Sequence, residues 1–176
     1  MDYSKLVITH YPISEFDKFK DQVFQECEFL AKEDDNWSDD ESKSNSLGYI
    51  AKNRLSYFTI STYDGKFLNF SGLYKKHNWV IGSVRSFAAK QHGVNVLQSI
   101  WVGQVWPSQY LLAKETYPNC KGYMVTFNNH RSVKVIQQYF TRKSDDIPAK
   151  EFYKNYYKTE QKIIQHSLQY AMSFKF

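Results

Sequence analysis

The stretch that decides the fold runs from Trp79 to Asn129 and reads WVIGSVRSFAAKQHGVNVLQSIWVGQVWPSQYLLAKETYPNCKGYMVTFNN. Its pattern predicts a strand over 80–87, a turn at 90–95, helical sequence to about residue 115 and a second strand over 122–127. A strand that leads into a glycine turn before a helix is a phosphate-binding arrangement, because a helix N-terminus presents free N–H groups and a positive dipole end. The stretch therefore predicts a strand–helix–strand unit with an anion site at its turn.

The sequence before this unit predicts a strand, a helix and a loop. Residues 5–13 alternate apolar and polar side chains, as a short strand does. Ser14 and Asp17 have the spacing of a helix N-terminus, and apolar residues then recur at helical spacing, which predicts an amphipathic helix over 15–32. Residues 33–48 are acidic, rich in Ser and Asn and without periodicity, which predicts a flexible loop.

The next segment predicts a three-stranded antiparallel meander. Residues 55–62 and 66–74 are two β-rich runs on either side of Asp64-Gly65, and Asp-Gly between such runs is the strongest short hairpin signal. A basic turn follows, and residues 79–87 supply the third strand.

The helix inside the deciding stretch is interrupted by Gly103 and Pro107. Proline is acceptable in the first turn of a helix and disruptive inside one. Two interpretations are therefore open: a kinked helix, or a longer loop followed by a helix over 107–116.

The remaining sequence predicts a short helix over 132–140, a polar loop over 141–150 and a final pair of strands. Residues 168–176 alternate apolar side chains with polar or small ones, which is typical of a strand with one buried face. We expect this strand to insert beside a strand formed earlier in the chain.

Composition bounds the class of protein. A chain of 176 residues with 42% hydrophobic and 18% aromatic side chains predicts one globular domain over 1–176. Cys27 and Cys120 are isolated, which indicates a reducing compartment. No apolar run approaches the ~20 residues of a membrane helix, and the first residues lack the apolar core of a signal peptide. We expect a cytoplasmic protein without a membrane segment.

Acidic and basic residues are distributed unevenly. The net charge is +5, yet residues 1–41 hold 12 acids and 4 bases. Between Asp64 and Glu115 there are six basic residues and no acid. A basic body of this kind favours an anionic partner, either a phosphate-bearing cofactor or nucleic acid. The alternative is a solvated basic surface balanced by the acidic N-terminal segment.

The sequence predicts no metal site. Its acidic loop lacks the glycine at the sixth position and the glutamate at the twelfth that a calcium loop requires. The motifs GxSxG, HExxH and GxxxxGK[ST] of other enzyme classes are also absent from the sequence.

The predicted order of elements resembles that of the GCN5-related N-acetyltransferases. In that family a strand leads into a Q/R-x-x-G-x-G/A loop, and KQHGVN at 90–95 lies at this place, with Lys90 for Gln/Arg and Asn95 for the second small residue. WPSQYLLAKE at 106–115 resembles the helix that follows, and YMVTFNN at 123–129 resembles the later strand that ends in Asn. The resemblance implies an α+β fold with a mixed, mostly antiparallel sheet of about six to seven strands flanked by helices.

The resemblance also implies the ligands and their site. Acetyl-CoA, or a related acyl-CoA, is the implied co-substrate, and an amine is the implied acceptor. The strand before the loop and the loop itself are implied to hold the cofactor. The candidate cofactor-binding residues are Val84, Arg85, Ser86, Lys90, Gln91, His92, Gly93, Val94 and Asn95.

Acyl transfer from a thioester to an amine needs a deprotonated amine, a polarised carbonyl and a proton for the leaving thiolate. Tyr139, His92 and Asn129 are the candidate catalytic residues, with Tyr139 as the proton donor to sulfur. The family's tyrosine usually lies about seven residues after the asparagine, where this sequence has Ile136, and a core position for Tyr139 is the alternative. His77, His92, His130 or water are the candidate bases, because no carboxylate lies on the predicted 80–87 strand.

Two other functions stay open at this point. The first is nucleic-acid binding, because rings interleaved with lysines, as in YKKHNW at 74–79, can stack on bases and neutralise phosphates. The second is a binding module that keeps the fold without catalysis, because a fold does not fix a function.

Overall fold

The structure is a computed structural model of the chain, and it describes residues 2–23, 25, 55–86, 100–127, 164–165 and 168–176. The strands are β1 Leu6–Pro12, β2 Tyr57–Tyr63, β3 Lys66–Lys76, β4 Trp79–Ser86, β5 Gly122–Phe127, β6 Ile164–Gln165 and β7 Leu168–Lys175. The helical segments are the 3-10 helices Tyr3–Lys5 and Ile13–Lys18, the π-helical segment Trp101–Val105 and the α-helix α1, Trp106–Thr116.

The strands form a seven-stranded sheet in the order β1-β2-β3-β4-β5-β7-β6. The pairs β1–β2, β2–β3, β5–β7 and β6–β7 are antiparallel, whereas β4 and β5 are parallel. The predicted mixed, mostly antiparallel sheet in an α+β fold is therefore confirmed. By contacts the chain divides into two compact units: the first comprises Met1–Tyr74 and Arg85–His92, and the second comprises Lys75–Val84 and Gly93–Phe176. The single domain expected from composition stays a prediction.

The first unit has a core of aromatic rings against one face of β2 and β3. Phe58 is fully buried, and its ring lies 5.5 Å from Phe16 and 5.2 Å from Tyr11. Val23, in the helical turn that follows Phe19, is also fully buried in this cluster. The predicted apolar face of residues 15–32 is thus core where the structure describes it.

The hairpin predicted at Asp64-Gly65 is present. Asp64 and Gly65 both have positive φ, 52° and 74°, as the tight turns that match strand twist require. Tyr63 and Lys66 close the turn as a cross-strand pair. The Asp64 N–H donates to the Lys5 carbonyl oxygen at 3.0 Å, which fixes β1 beside the hairpin.

The predicted start of the first helix is wrong. Residues Ile13–Lys18 form a 3-10 helix and not the first turns of an α-helix, and Pro12, not Ser14, precedes it without a side-chain cap. The physical reason is tertiary: the Ile13 N–H donates to the Ser56 carbonyl oxygen at 2.9 Å, and Phe16 is buried against the sheet. The chain is thus held to the sheet directly after β1, and the tighter 3-10 turn accommodates this.

In the second unit, the backbone around Gly103 and Pro107 is helical. Helical backbone runs without a loop from Ile100 to Thr116, but its first part, Trp101–Val105, is π-helical. Pro107 lies in the first turn of α1, where its missing N–H and fixed φ are tolerated. The π-helical segment thus leads directly into α1. Over residues 100–116 the chain forms neither a loop before residue 107 nor a single kinked α-helix, so neither interpretation is fully correct.

The last strand inserts as predicted. β7 pairs with β5 from Gly122↔Lys175 to Phe127↔Tyr170, and β6 pairs on its other side. Phe174 is buried in this sheet. The predicted loops over 33–48 and 141–150, the helix over 132–140 and Cys27 lie outside the described residues.

Candidate functional site

The paired residues of the parallel strands β4 and β5 belong to the second unit. Its register runs from Trp79↔Gly122 to Ser83↔Thr126. Because the strands are parallel, their carboxyl ends lie at the same edge, and ligands of α/β sheets bind at such edges. The helical stretch over 100–116 lies between the two strands in sequence, as the predicted strand–helix–strand unit requires.

The carboxyl end of β4 extends past its described pairing with β5. That pairing ends at Ser83↔Thr126, and β4 continues through Val84, Arg85 and Ser86. Backbone N–H and C=O groups alternate between the two edges of a strand, so each edge presents both donors and acceptors. Such an edge can accept an extended ligand in the manner of an added strand.

The pair is held to α1 by a buried hydrogen bond. The Tyr123 hydroxyl on β5 donates to Gln109 Oε1 on α1 at 2.7 Å, and both side chains are fully buried. The Tyr123 ring and hydroxyl also occupy the space in which Gly82, on β4, would carry a Cβ atom. Gly82 therefore allows Tyr123 to reach α1 across the face of β4.

A second phenol holds α1 to the last strand. The Tyr110 hydroxyl donates to the Lys175 carbonyl oxygen at 2.9 Å, and the Tyr110 ring lies edge-on to Phe176 at 5.4 Å. Together, Tyr123 and Tyr110 attach one helix to β5 and β7. The parallel pair therefore rests on a helix that is fixed at two points.

Sequence reasoning did not identify Gly82, Gln109, Tyr110 and Tyr123. Two signals were available in the sequence. A lone glycine inside an apolar strand marks a close approach of other atoms, and a glutamine on an apolar helix face needs a buried partner.

The structure describes three of the predicted site residues. Val84, Arg85 and Ser86 lie in β4, at its carboxyl end, as predicted. The remaining candidates lie outside the described residues, and their roles stay predictions: Lys90, Gln91, His92, Gly93, Val94, Asn95, Asn129 and Tyr139.

His77 lies at the amino end of the parallel pair. It is exposed in the turn between β3 and β4, with φ of 54°, and β4 begins two residues later. A strand rises about 3.3 Å per residue, so the seven residues from His77 to Val84 separate them by roughly 20 Å. His77 is therefore far along β4 from the predicted cofactor-binding residues Val84, Arg85 and Ser86.

Burial changes the pKa of two described side chains. Burial lowers the pKa of His10, because the imidazolium form loses hydration, and raises the pKa of Tyr74, because the phenolate form does. His10 Nδ1 lies 2.8 Å from the Thr59 hydroxyl on the neighbouring strand. Both groups belong to the first unit.

The described residues form neither a metal-ligand group nor a membrane-spanning helix. They contain no group of three His, Cys, Asp or Glu side chains placed to hold a metal ion. In the same part of the chain, no helix combines the length and the apolar character that a membrane span requires.

Comparison with known proteins identifies the fold. No protein-family model and no curated protein matches the sequence. The N-acetyltransferase PseH of Campylobacter jejuni, solved with acetyl coenzyme A, is 11% identical over 96% of this chain and 99% of its own, with a TM-score of 0.52. An acetyltransferase of the GNAT family from Streptococcus pneumoniae is 13% identical over 97% of this chain and 99% of its own, with a TM-score of 0.50.

A third solved structure, an acyl-CoA N-acyltransferase from Pseudomonas aeruginosa, is 9% identical over 96% of this chain and 98% of its own, again with a TM-score of 0.50. Identities this low are informative about architecture and not about activity. The chain therefore has the fold of the GCN5-related N-acetyltransferases, as its sequence pattern predicted.

Proposed function

We propose that this protein is an N-acyltransferase that moves an acetyl or related acyl group from acyl-CoA to an amine. The observation that carries the proposal is the parallel β4–β5 pair in which β4 continues three residues past Ser83↔Thr126. Structures with the same fold support it, since their names include an N-acetyltransferase solved with acetyl coenzyme A and an acyl-CoA N-acyltransferase.

We expect the pantetheine arm of CoA to bind along the carboxyl end of β4. This arm is extended and carries two amide groups, so it can pair with backbone groups of Val84–Ser86 as an added strand would. The pyrophosphate is then expected to bind at residues 90–95, where the sequence predicts a glycine turn whose backbone N–H groups, with the Lys90 ammonium, would offer anion contacts. The absence of acids between Asp64 and Glu115 lowers the repulsion that the phosphates would meet.

The reaction requires the protein to position the amine beside the thioester, to polarise the thioester carbonyl and to provide for two proton transfers. The amine nitrogen forms a bond to the thioester carbonyl carbon, the C–S bond breaks, the amine gives up a proton and the CoA thiolate takes one. A β4 backbone N–H near Val84 polarises the carbonyl as an oxyanion donor. In this proposal His92 or water accepts the amine proton, Tyr139 supplies the thiolate proton, and Asn129, which follows β5 in the sequence, is a further candidate catalytic residue.

The cellular setting proposed for this reaction is the cytoplasm. The free thiol of Cys120, which is buried, is compatible with a reducing compartment.

The second candidate is a CoA-binding module without catalysis. It is favoured by the sequence of the predicted loop, which keeps one glycine, and by Ile136 at the position of the family's usual tyrosine. Both candidates predict CoA binding and differ in turnover. Release of CoA thiol in the presence of an amine panel therefore separates them.

A thermal-shift titration tests binding first. A ligand that binds only the folded state adds about 2.7 kcal/mol at 100 times its Kd, so acetyl-CoA is expected to raise Tm clearly. Dephospho-CoA is expected to stabilise less, since the 3′-phosphate loses its cation contacts. Lys90→Glu is expected to abolish the shift, and Lys66→Glu, which changes an exposed lysine at the β2–β3 turn, serves as the matched control. No shift with either CoA compound would overturn both candidates.

A further inference from the structure

A basic surface lies at the amino ends of β4 and β5, opposite the carboxyl ends at which acyl-CoA is proposed to bind. We name it the basic end, and it comprises Lys75, Lys76, Lys121 and Lys175, all exposed, together with the half-buried rings of Trp79, Tyr117 and Phe176. These residues come from the end of β3, the start of β4, the α1–β5 connection and the end of β7.

Backbone hydrogen bonds fix these segments to one another. The Lys121 N–H donates to the Asn78 carbonyl oxygen at 2.6 Å, and the Lys121 carbonyl oxygen accepts from the Phe176 N–H at 3.3 Å. Lys175 is held in turn by the Tyr110 hydroxyl, which donates to its carbonyl oxygen at 2.9 Å. The lysines therefore extend from a backbone frame that is already ordered before any partner binds.

Strand register brings the rings and the lysines together. Gly122 pairs with Trp79 on one side and with Lys175 on the other, so Lys121 lies one residue beyond both pairs. The Trp79 ring covers Gly122, and a Cβ atom at that glycine would collide with the ring and with the β7 backbone. The half-buried Trp79 ring and the Lys175 backbone are thus both held against Gly122, the residue after Lys121.

The charge of this unit is strongly one-sided. Its described residues, 75–84, 100–127, 164–165 and 168–176, contain five lysines and a single acid, Glu115. The fifth lysine, Lys114, carries its ammonium 6.0 Å from the Tyr110 ring centre. A fixed surface with this potential attracts polyanions and gains free energy by releasing their counterions.

We infer that the basic end binds single-stranded nucleic acid. Lysines alone would suit any polyanion, but half-buried rings among them offer a π-face on which a base can stack. An acidic peptide carries the charge but has no base to stack, so the rings favour nucleic acid as the partner. Because the basic end and the β4 carboxyl end are opposite ends of one strand, this inference is independent of the proposed acyl transfer.

Fluorescence anisotropy with a labelled 15-nucleotide oligodeoxythymidine tests the inference on the full chain. For single-stranded nucleic acid, each phosphate contact contributes about −0.7 to the slope of log K against log[salt]. Four lysines that each contact one phosphate therefore predict a slope of about −3. The double variant Lys121→Glu/Lys175→Glu is expected to weaken binding by at least tenfold and to make the slope shallower. Lys66→Glu, an exposed lysine in the first unit, is the matched control and is expected to bind as the wild type does.

Stacking is tested separately from charge. Trp79→Leu is expected to weaken oligonucleotide binding about tenfold, and Trp79→Phe, which keeps a ring, to recover most of the affinity. Circular dichroism and thermal unfolding without ligand check that each variant is folded. The inference is overturned by a wild type that does not bind the oligonucleotide, by a lysine variant that binds equally well, or by labelled poly-L-glutamate binding as tightly as the oligonucleotide.

Discussion

Gly82 and Tyr123 show how single residues set the spacing of the parallel pair. Tyr123 is fully buried, and its hydroxyl reaches Gln109 only because Gly82 leaves the space that a Cβ atom would take. Protein interiors are close-packed, so adding one methyl group here forces backbone or ring to move. The residue scale therefore supplies the sharpest tests of the structure.

Gly82→Ala is expected to lower the free energy of unfolding by about 1–3 kcal/mol, because the new Cβ overlaps the Tyr123 hydroxyl. Chemical denaturation measures the change. Gly65→Asn is the matched control: Gly65 has open space around it and φ of 74°, a conformation that asparagine tolerates, so stability is expected to hold. A Gly82→Ala protein as stable as the wild type would contradict this packing.

Tyr123→Phe is expected to cost about 1–3 kcal/mol, since it removes the donor to a fully buried acceptor. Tyr110→Phe is its natural comparison, because its bond to the Lys175 carbonyl oxygen is only partly buried and water can replace the donor. We expect the second variant to lose about 0.5–1.5 kcal/mol. Equal losses in the two variants would show that burial of the Tyr123–Gln109 bond has no special weight.

His10 makes stability depend on pH. Its pKa is lowered by burial from the ordinary value of 6.5, so the unfolded chain binds a proton more readily than the folded one. The neutral form lies in a cross-strand row with the uncharged Thr59 and Ser71. Stability is therefore expected to be full above pH 6.5 and to fall as pH drops below it toward the folded-state pKa.

Thermal unfolding of the wild type and of His10→Gln across pH 8 to 5 tests this expectation. Glutamine keeps a hydrogen-bonding group but does not titrate. The wild type is expected to lose more Tm than the variant over this range. Parallel curves for the two proteins would contradict a role for His10.

At the scale of elements, local signals in the sequence predict what local forces determine. The hairpin at Asp64-Gly65 and the alternation over 168–176 depend on turn conformation and on one buried face, and both predictions are confirmed. The start of the first helix was mispredicted because Ile13 and Phe16 are bound to the sheet, which no local propensity records. The π-helical segment Trp101–Val105 was not foreseen either, since it accommodates Gly103 and Pro107 within one helical run.

The candidate site, too, could be predicted from local signals only in part. The strand end at Val84–Ser86 could be predicted because strand periodicity is local. The clamp of Gly82, Tyr123 and Gln109 could not, because it joins three elements through atoms that sequence spacing does not relate.

At the scale of the whole molecule, the sheet order is what connects sequence to proposed function. The single parallel pair among the described pairings, β4–β5, brings two carboxyl ends to one edge and leaves Val84–Ser86 beyond the described pairing. The amino ends of the same strands carry the basic end. We therefore expect the two ends of the pair to serve different ligands.

Hydrogen–deuterium exchange with saturating acetyl-CoA tests the central claim most directly, because it locates the ligand on the chain. If acyl-CoA binds at the carboxyl end of β4, we expect slower amide exchange in peptides covering residues 84–95. Exchange in peptides covering residues 117–122, at the basic end, is expected to stay unchanged. Acetyl-CoA that leaves 84–95 unprotected, or that protects 117–122 instead, would contradict the proposed site at the carboxyl end of β4.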